Sequence, residues 1–113
     1  MLETPLKDEQ CKPCEGGIDP LKTDRVARLL KQIPEWQLTD DALAVSRRYQ
    51  FDHFNQTISF VNLLAWIANR QGHHPEFTVG FYHCEVRFTT HAIGGLSEND
   101  FICAARLDDQ TES

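Results

Sequence analysis

No run of apolar residues in this sequence approaches the roughly 20 that a bilayer-spanning helix requires. The opening MLETPLKDEQ also lacks the apolar core of a signal peptide. A soluble, cytoplasmic protein is therefore expected, with no membrane partner. Positive charge is scarce as well: eleven Lys and Arg stand against seventeen Asp and Glu, for a net charge of −6. Arg47-Arg48 is the one adjacent basic pair. Nucleic-acid binding needs a clustered Lys/Arg excess, so no nucleic-acid partner is expected. The four cysteines do not resemble a disulfide framework. Cys84 and Cys103 fall inside regular patterns and read as small buried hydrophobes. Cys11 and Cys14 form CKPC, which is half a zinc site and lacks the strand-then-helix context of a redox CxxC. It reads as a reduced, partly ordered tail. A chain of 113 residues has room for one core and hence one domain.

Hydrophobic period supplies the elements. Residues 1–22 carry three of the five prolines and a Gly-Gly, and read as an extended leader. A domain is expected over 23–108, followed by a short tail over 109–113. Val26, Leu29, Leu30 and Ile33 recur at helical spacing after an N-cap at Thr23 or Asp24, and Pro34 stops that helix. Leu43, Val45, Arg47, Tyr49 and Phe51 alternate with polar or small residues, predicting a strand. Trp36 to Leu38 would pair with it across a turn at Asp40-Asp41. Asp52 offers an N-cap to a long helix that Gly72 closes. On that helix Phe54, Ile58, Val61, Ala65 and Ala68 share one face, while Phe60, Leu63 and Ile67 form a second stripe. The second stripe is expected to pack against another subunit, with a neighbouring helix of the same chain as the competing reading. Cys84, Val86 and Phe88 alternate with Glu85, Arg87 and Thr89, predicting a second hairpin with its turn near Tyr82-His83. Ser97 then caps a last helix, with Asp100 in a capping-box position. The order helix, hairpin, helix, hairpin, helix predicts an α+β fold, a four-stranded antiparallel sheet with helices on one face.

The chain has five histidines. His53 begins the long helix and His83 sits at a predicted hairpin tip; both read as solvated. His73 and His74 lie in the short GHHPEF connection, where a rigid scaffold can present side chains to a cleft. Pro75 fixes its own φ and restricts His74 to an extended conformation. His91 is expected to end the last strand, and tight pairing of the last two strands would bring it beside His73 and His74. Three convergent imidazoles suit zinc or metal-free acid–base chemistry. Adjacent residues in an extended segment point to opposite sides, which makes joint ligation by His73 and His74 awkward. A separate acid and base tolerate that divergence, and plain surface histidines remain the simplest alternative.

HHPEF, His91 eighteen residues after His73, and THAIGGLSEND ending in Asp100 together resemble the pterin-4a-carbinolamine dehydratase family. The resemblance runs from about Thr23 to Leu107, outside the CKPC leader. It implies dehydration of 4a-hydroxytetrahydropterin to quinonoid dihydropterin, recycling the pterin used by an aromatic amino acid hydroxylase, with no metal or organic cofactor. Position by position it implies His73, His74 and His91 as active-site histidines: His73 and His91 as acid and base, His74 orienting the pterin. Gly72, Thr89, Thr90 and Ala92 would hold the ring's polar edge with them. Trp36, Pro75, Phe77 and Asp100 would support the site. Many members carry an acidic residue where this chain has Asn69, and Trp where it has Phe77. A histidine's unperturbed pKa of about 6.5 allows either proton-transfer role near neutrality.

Two other readings stand beside the enzyme. Some animal members serve as a dimerisation cofactor for a homeodomain transcription factor, which implies an interaction module with a vestigial site. A metal-binding protein would combine the histidines with Cys11 and Cys14. A homo-oligomer, dimer or tetramer, is expected in the first two cases.

Overall fold

A computed structural model describes residues 4–13 and 16–111. The chain forms helices α1 (Thr23–Leu30), α2 (Phe54–Gln71) and α3 (Glu98–Thr111) and strands β1 (Gln37–Leu38), β2 (Val45–Gln50), β3 (Glu76–Val79) and β4 (His83–Phe88). The strands form one antiparallel sheet in the order β1-β2-β4-β3, an α+β architecture. Register places Val45 opposite Phe88, Tyr49 opposite Cys84 and Phe77 opposite Val86. Those residues therefore share the face on which α2 and α3 pack. Val45, Tyr49, Cys84, Val86 and Phe88 are buried there.

The helix ends follow local chemistry. Lys22, not Thr23 or Asp24, is the N-cap of α1. Beyond Leu30 the chain tightens into i→i−3 hydrogen bonds, Gln32 to Leu29 and Ile33 to Leu30, before Pro34. At the start of α2 the N-cap is His53, one residue later than expected. Gln56 Oε1 accepts from the backbone N–H groups of both Asp52 and His53. Gly72 ends α2 in the left-handed region, at φ 65°, and its N–H returns to Ala68 O.

Two expectations about packing are overturned. Phe60 and Ile67 are 4% and 2% exposed within the single chain and belong with Leu64 to its buried cluster, Phe60 against Tyr49 of β2 and Ile67 in a cavity it shares with Arg106 and Asp109 of α3. The second stripe of α2 is thus the domain's own core face. Phe54 and Ile58, of the first stripe, are the ones left exposed. The turn joining β3 to β4 spans Gly80 to Tyr82, and His83 already belongs to β4. The His83 ring lies over Gly80, where an added Cβ would meet it at 2.3 Å.

The N-terminal segment is docked, not free. Leu6 lies in a short 3-10 turn (Leu6–Asp8) and is buried in the core. Its N–H donates to Gln32 Oε1, and Arg106 Nε of α3 donates to Glu9 O at 2.6 Å. Cys14 lies outside the described residues. At the other end α3 runs to Thr111, so the expected tail begins inside a helix.

Trp36 is buried away from the histidines. Its Nε1 donates to Asp108 Oδ2 at 3.0 Å, while Tyr49 and Arg47 both reach Oδ1. A buried carboxylate with three donors is satisfied in full. Trp36 is thus a structural residue.

Candidate active site

Residues after the C-terminus of α2 and the C-terminal end of β4 meet because β3 and β4 pair from Glu76–Arg87 onward. Just beyond that pair, residues 72–74 face residues 89–92 across a cleft of about 290 Å³. Gly72, His73, His74, Thr89, Thr90, His91 and Ala92 line it, joined by Lys12 and Asn99. That volume is near the small end of the usual range for small-molecule sites, roughly 300–1,000 Å³.

His73 is the fixed member. Its Nε2 lies 2.6 Å from Asp100 Oδ1, and its ring stacks on Phe88 at 6.0 Å between centroids. Its backbone N–H donates to Ala68 O, so the turn at Gly72 orients the residue as well. The imidazole is 11% exposed and the Asp100 side chain is fully buried. Asp100 Oδ2 accepts from Thr90 Oγ1 at 2.8 Å and from the Ser97 N–H at 3.0 Å. The carboxylate therefore caps α3 and holds His73 with different oxygens. Because an ionised carboxylate only accepts, it places the ring proton on Nε2 and leaves Nδ1 as the nitrogen available for exchange.

His91 and His74 are looser. His91 does not end β4, which stops at Phe88; it opens a 3-10 turn (His91–Ile93). The turn arises because Thr90 pairs with Gly95 and Gly94 adopts φ 68°. The His91 side chain is exposed, with Nε2 3.4 Å from Glu76 Oε1. His74 is exposed at the cleft. Pro75 is partly buried and joins the pair to β3.

Several expected supports stand elsewhere. Phe77 lies on edge strand β3, 46% exposed and outside the cleft lining. Trp36 contacts Phe88 at 5.8 Å, one ring removed from His73. Asn69 is exposed and does not hold His73; Asp100 does. Lys12 and Asn99 were not among the expected site residues. Asn99 clamps Lys12 from both sides, accepting from its N–H at 3.0 Å and donating to its O at 2.6 Å. No hydrophobic period announces such a polar clamp. Among the described residues, no group of three or more His, Cys, Asp or Glu side chains converges closely enough to hold a metal ion. No helix among them is long and apolar enough to cross a membrane.

Residues 19–110 match the model of a protein family described as pterin 4 alpha carbinolamine dehydratase. A protein of Nitrosomonas eutropha named "Putative pterin-4-alpha-carbinolamine dehydratase" is 52% identical over 104 residues, covering 91% of this chain and 90% of its own length. A protein of the same name from Stenotrophomonas maltophilia is 48% identical, covering 96% of this chain and 93% of itself. A Brucella melitensis structure titled as a transcriptional coactivator/pterin dehydratase superposes with a TM-score of 0.75 at 26% identity, over 80% of this chain and 97% of that one. A pterin dehydratase-like RuBisCO assembly factor of the alpha-carboxysome shares the fold at 22% identity and a TM-score of 0.60, over 70% of this chain and 92% of its own.

Proposed function

The chain belongs to the pterin 4 alpha carbinolamine dehydratase family, and from that premise we propose that it dehydrates a 4a-hydroxytetrahydropterin to the quinonoid dihydropterin. The observation that carries this reading is His73, locked by Asp100 beside His74 and His91 in one cleft. In the reaction the C4a–O bond breaks and N5 loses its proton as the C4a=N5 bond forms. The leaving oxygen accepts a proton and departs as water.

Two proton transfers need two groups. His73 presents an unprotonated Nδ1 with the charge of Asp100 behind it, an arrangement suited to accepting the N5 proton. His91, on the opposite lip, donates to the leaving hydroxyl. His74 and the polar groups of Thr89, Thr90 and Ala92 orient the flat ring. No metal or organic cofactor enters these steps. The pathway served is recycling of a pterin after aromatic hydroxylation, in the cytoplasm.

The domain proper occupies residues 23–108 in this reading, with the leader and tail as additions to it. A homo-oligomer is proposed through the surface left apolar: Phe54 and Ile58 of α2 beside Phe81 and Tyr82 of the β3–β4 turn. Phe54 and Phe81 already touch, with ring centroids 6.0 Å apart. The same surface is what favours an interaction module as the second reading.

The test is decay of a freshly generated carbinolamine with and without the protein, after exhaustive chelation. Acceleration that survives chelation supports the reading. Acceleration that needs restored zinc transfers the site to metal chemistry. No acceleration by a folded protein leaves the interaction module in its place.

A further inference from the structure

The Cys11 and Cys103 sulfurs lie 3.5 Å apart, across 92 positions of sequence. Neither is bonded to another cysteine. We propose that this pair is an oxidisable dithiol, closed by hydrogen peroxide into a reversible disulfide that staples the N-terminal segment to α3 beside the histidine cleft. The inference is independent of the reaction proposed above.

Placement supports it. Cys11 lies in a stretch with no regular secondary structure, whereas Cys103 is buried in the middle of α3. A disulfide needs about 2.05 Å between sulfurs, so a shift of about 1.5 Å closes it. The irregular segment, not the helix, can supply that shift. The segment is already aligned: Cys11 N–H donates to Gln71 Oε1 at 2.8 Å, and Lys12 is clamped by Asn99. Asn99 is the residue before Asp100, so the staple and the His73 contact share one turn of α3.

The roles of the two sulfurs differ. Cys11 Sγ donates to Asn99 O at 3.6 Å, which leaves Cys103 as the donor across the sulfur pair. That bond, with burial and the nearby Asp100 charge, pushes the Cys103 thiol far up. Cys11, only half-buried, is the sulfur that peroxide reaches. The Cys11 thiolate attacks one peroxide oxygen; the O–O bond breaks, and the second oxygen leaves as water after taking a proton. Cys11 is then a sulfenic acid. The Cys103 sulfur attacks it, forming the S–S bond and expelling hydroxide, which takes the Cys103 proton and leaves as a second water. Two thiols and one peroxide give one disulfide and two waters. In a reducing compartment such a bond is transient and signals oxidation.

The test uses the full chain, reduced and then treated with a few equivalents of hydrogen peroxide. Cys11 and Cys14 share one tryptic peptide, because the bond after Lys12 precedes Pro13. The wild type is therefore compared with Cys14→Ser. The expected result in both is a mass loss of two hydrogens and a dithiothreitol-sensitive link between the Cys11 and Cys103 peptides. Closing so long a loop should raise Tm by roughly 5–15 °C, reversed by reduction. A link between Cys11 and Cys14, oxidation of Cys11 to sulfinic acid with Cys103 still free, or no reaction overturns the proposal. None of these outcomes depends on a variant of buried Cys103 folding.

Discussion

Asp100 reaches His73 with one carboxylate oxygen, at 2.6 Å, and the start of α3 with the other. The same residue is a helix cap and the anchor of an imidazole. Replacing it with Asn separates these functions. An amide oxygen can still accept from the Ser97 N–H, but the amide nitrogen then faces His73 Nε2. That forces Nε2 to accept and moves the ring proton to Nδ1, the wrong tautomer for the proposed exchange. Asp100→Asn should lower kcat/KM by about 10²–10⁴-fold, as loss of a tautomer-fixing carboxylate does elsewhere. It should also change the pH profile, while stability falls by about 1–2 kcal/mol. A near-full rate with an unchanged profile would remove Asp100 from the proton-transfer machinery.

The histidines should separate by stability as well as by rate. His73→Ala and His91→Ala should each cost about 10²–10⁴ in kcat, and the double variant less than their product. His74→Ala should raise KM more than it lowers kcat, because an orienting contact is shared by ground and transition states. His73→Ala also takes the His73 partner from Oδ1 of the fully buried Asp100 carboxylate, at a cost of about 1–3 kcal/mol. The exposed His74 and His91 should cost less than about 0.5 kcal/mol. Equal destabilisation by all three, in urea titrations, would contradict the contacts described.

Much of this arrangement is legible in the sequence. The alternation of Cys84, Val86 and Phe88 announces a strand, Gly72 a helix end, and Ser97 with Asp100 a cap. Strand pairing brings His73 and His74 opposite residues 89–92, but the 3-10 turn that carries His91 follows from the Thr90–Gly95 bridge, not from the β3–β4 pairing. The two stripes of α2 are different: period shows that a face is apolar, not what covers it. Phe60 meets Tyr49 of β2 and Ile67 borders α3, neighbours set by long-range folding. The leader is illegible for another reason. Gln32, Asn99 and Arg106 hold it by isolated polar bonds to its backbone, and such bonds leave no pattern in composition.

The α2 faces give a direct comparison. Phe60→Glu should abolish folding, since an unpaired charge would enter the aromatic cluster of Tyr49, Phe51 and Phe60. Phe54→Glu and Ile58→Glu should leave the far-ultraviolet dichroism native and shift sedimentation toward the 13.0 kDa monomer. A wild type that already sediments as a monomer, or exposed-face variants that leave its oligomer intact, would remove this surface from assembly.

Cys84 sets a pH dependence that its position on the inner face of β4 dictates. Burial among apolar neighbours pushes its thiol up from 9.0 to about 11. Below pH 9 both folded and unfolded chains carry the proton, and the group contributes no slope. Between pH 9 and 11 the unfolded chain releases the proton and the folded chain keeps it. The unfolded state then binds fewer protons, so stability falls as pH rises, by about 2 kcal/mol across that window. Other groups also titrate there, Cys103 with the same sign, so the slope must be isolated by difference. Cys84→Ala should be about 1 kcal/mol less stable than wild type at pH 7, from the lost packing. Urea midpoints measured from pH 7 to 11 should show that deficit shrinking and then reversing as the wild type loses its protonated thiol's advantage. A deficit that stays constant across the range would mean that Cys84 ionises in the folded protein as readily as in the unfolded chain.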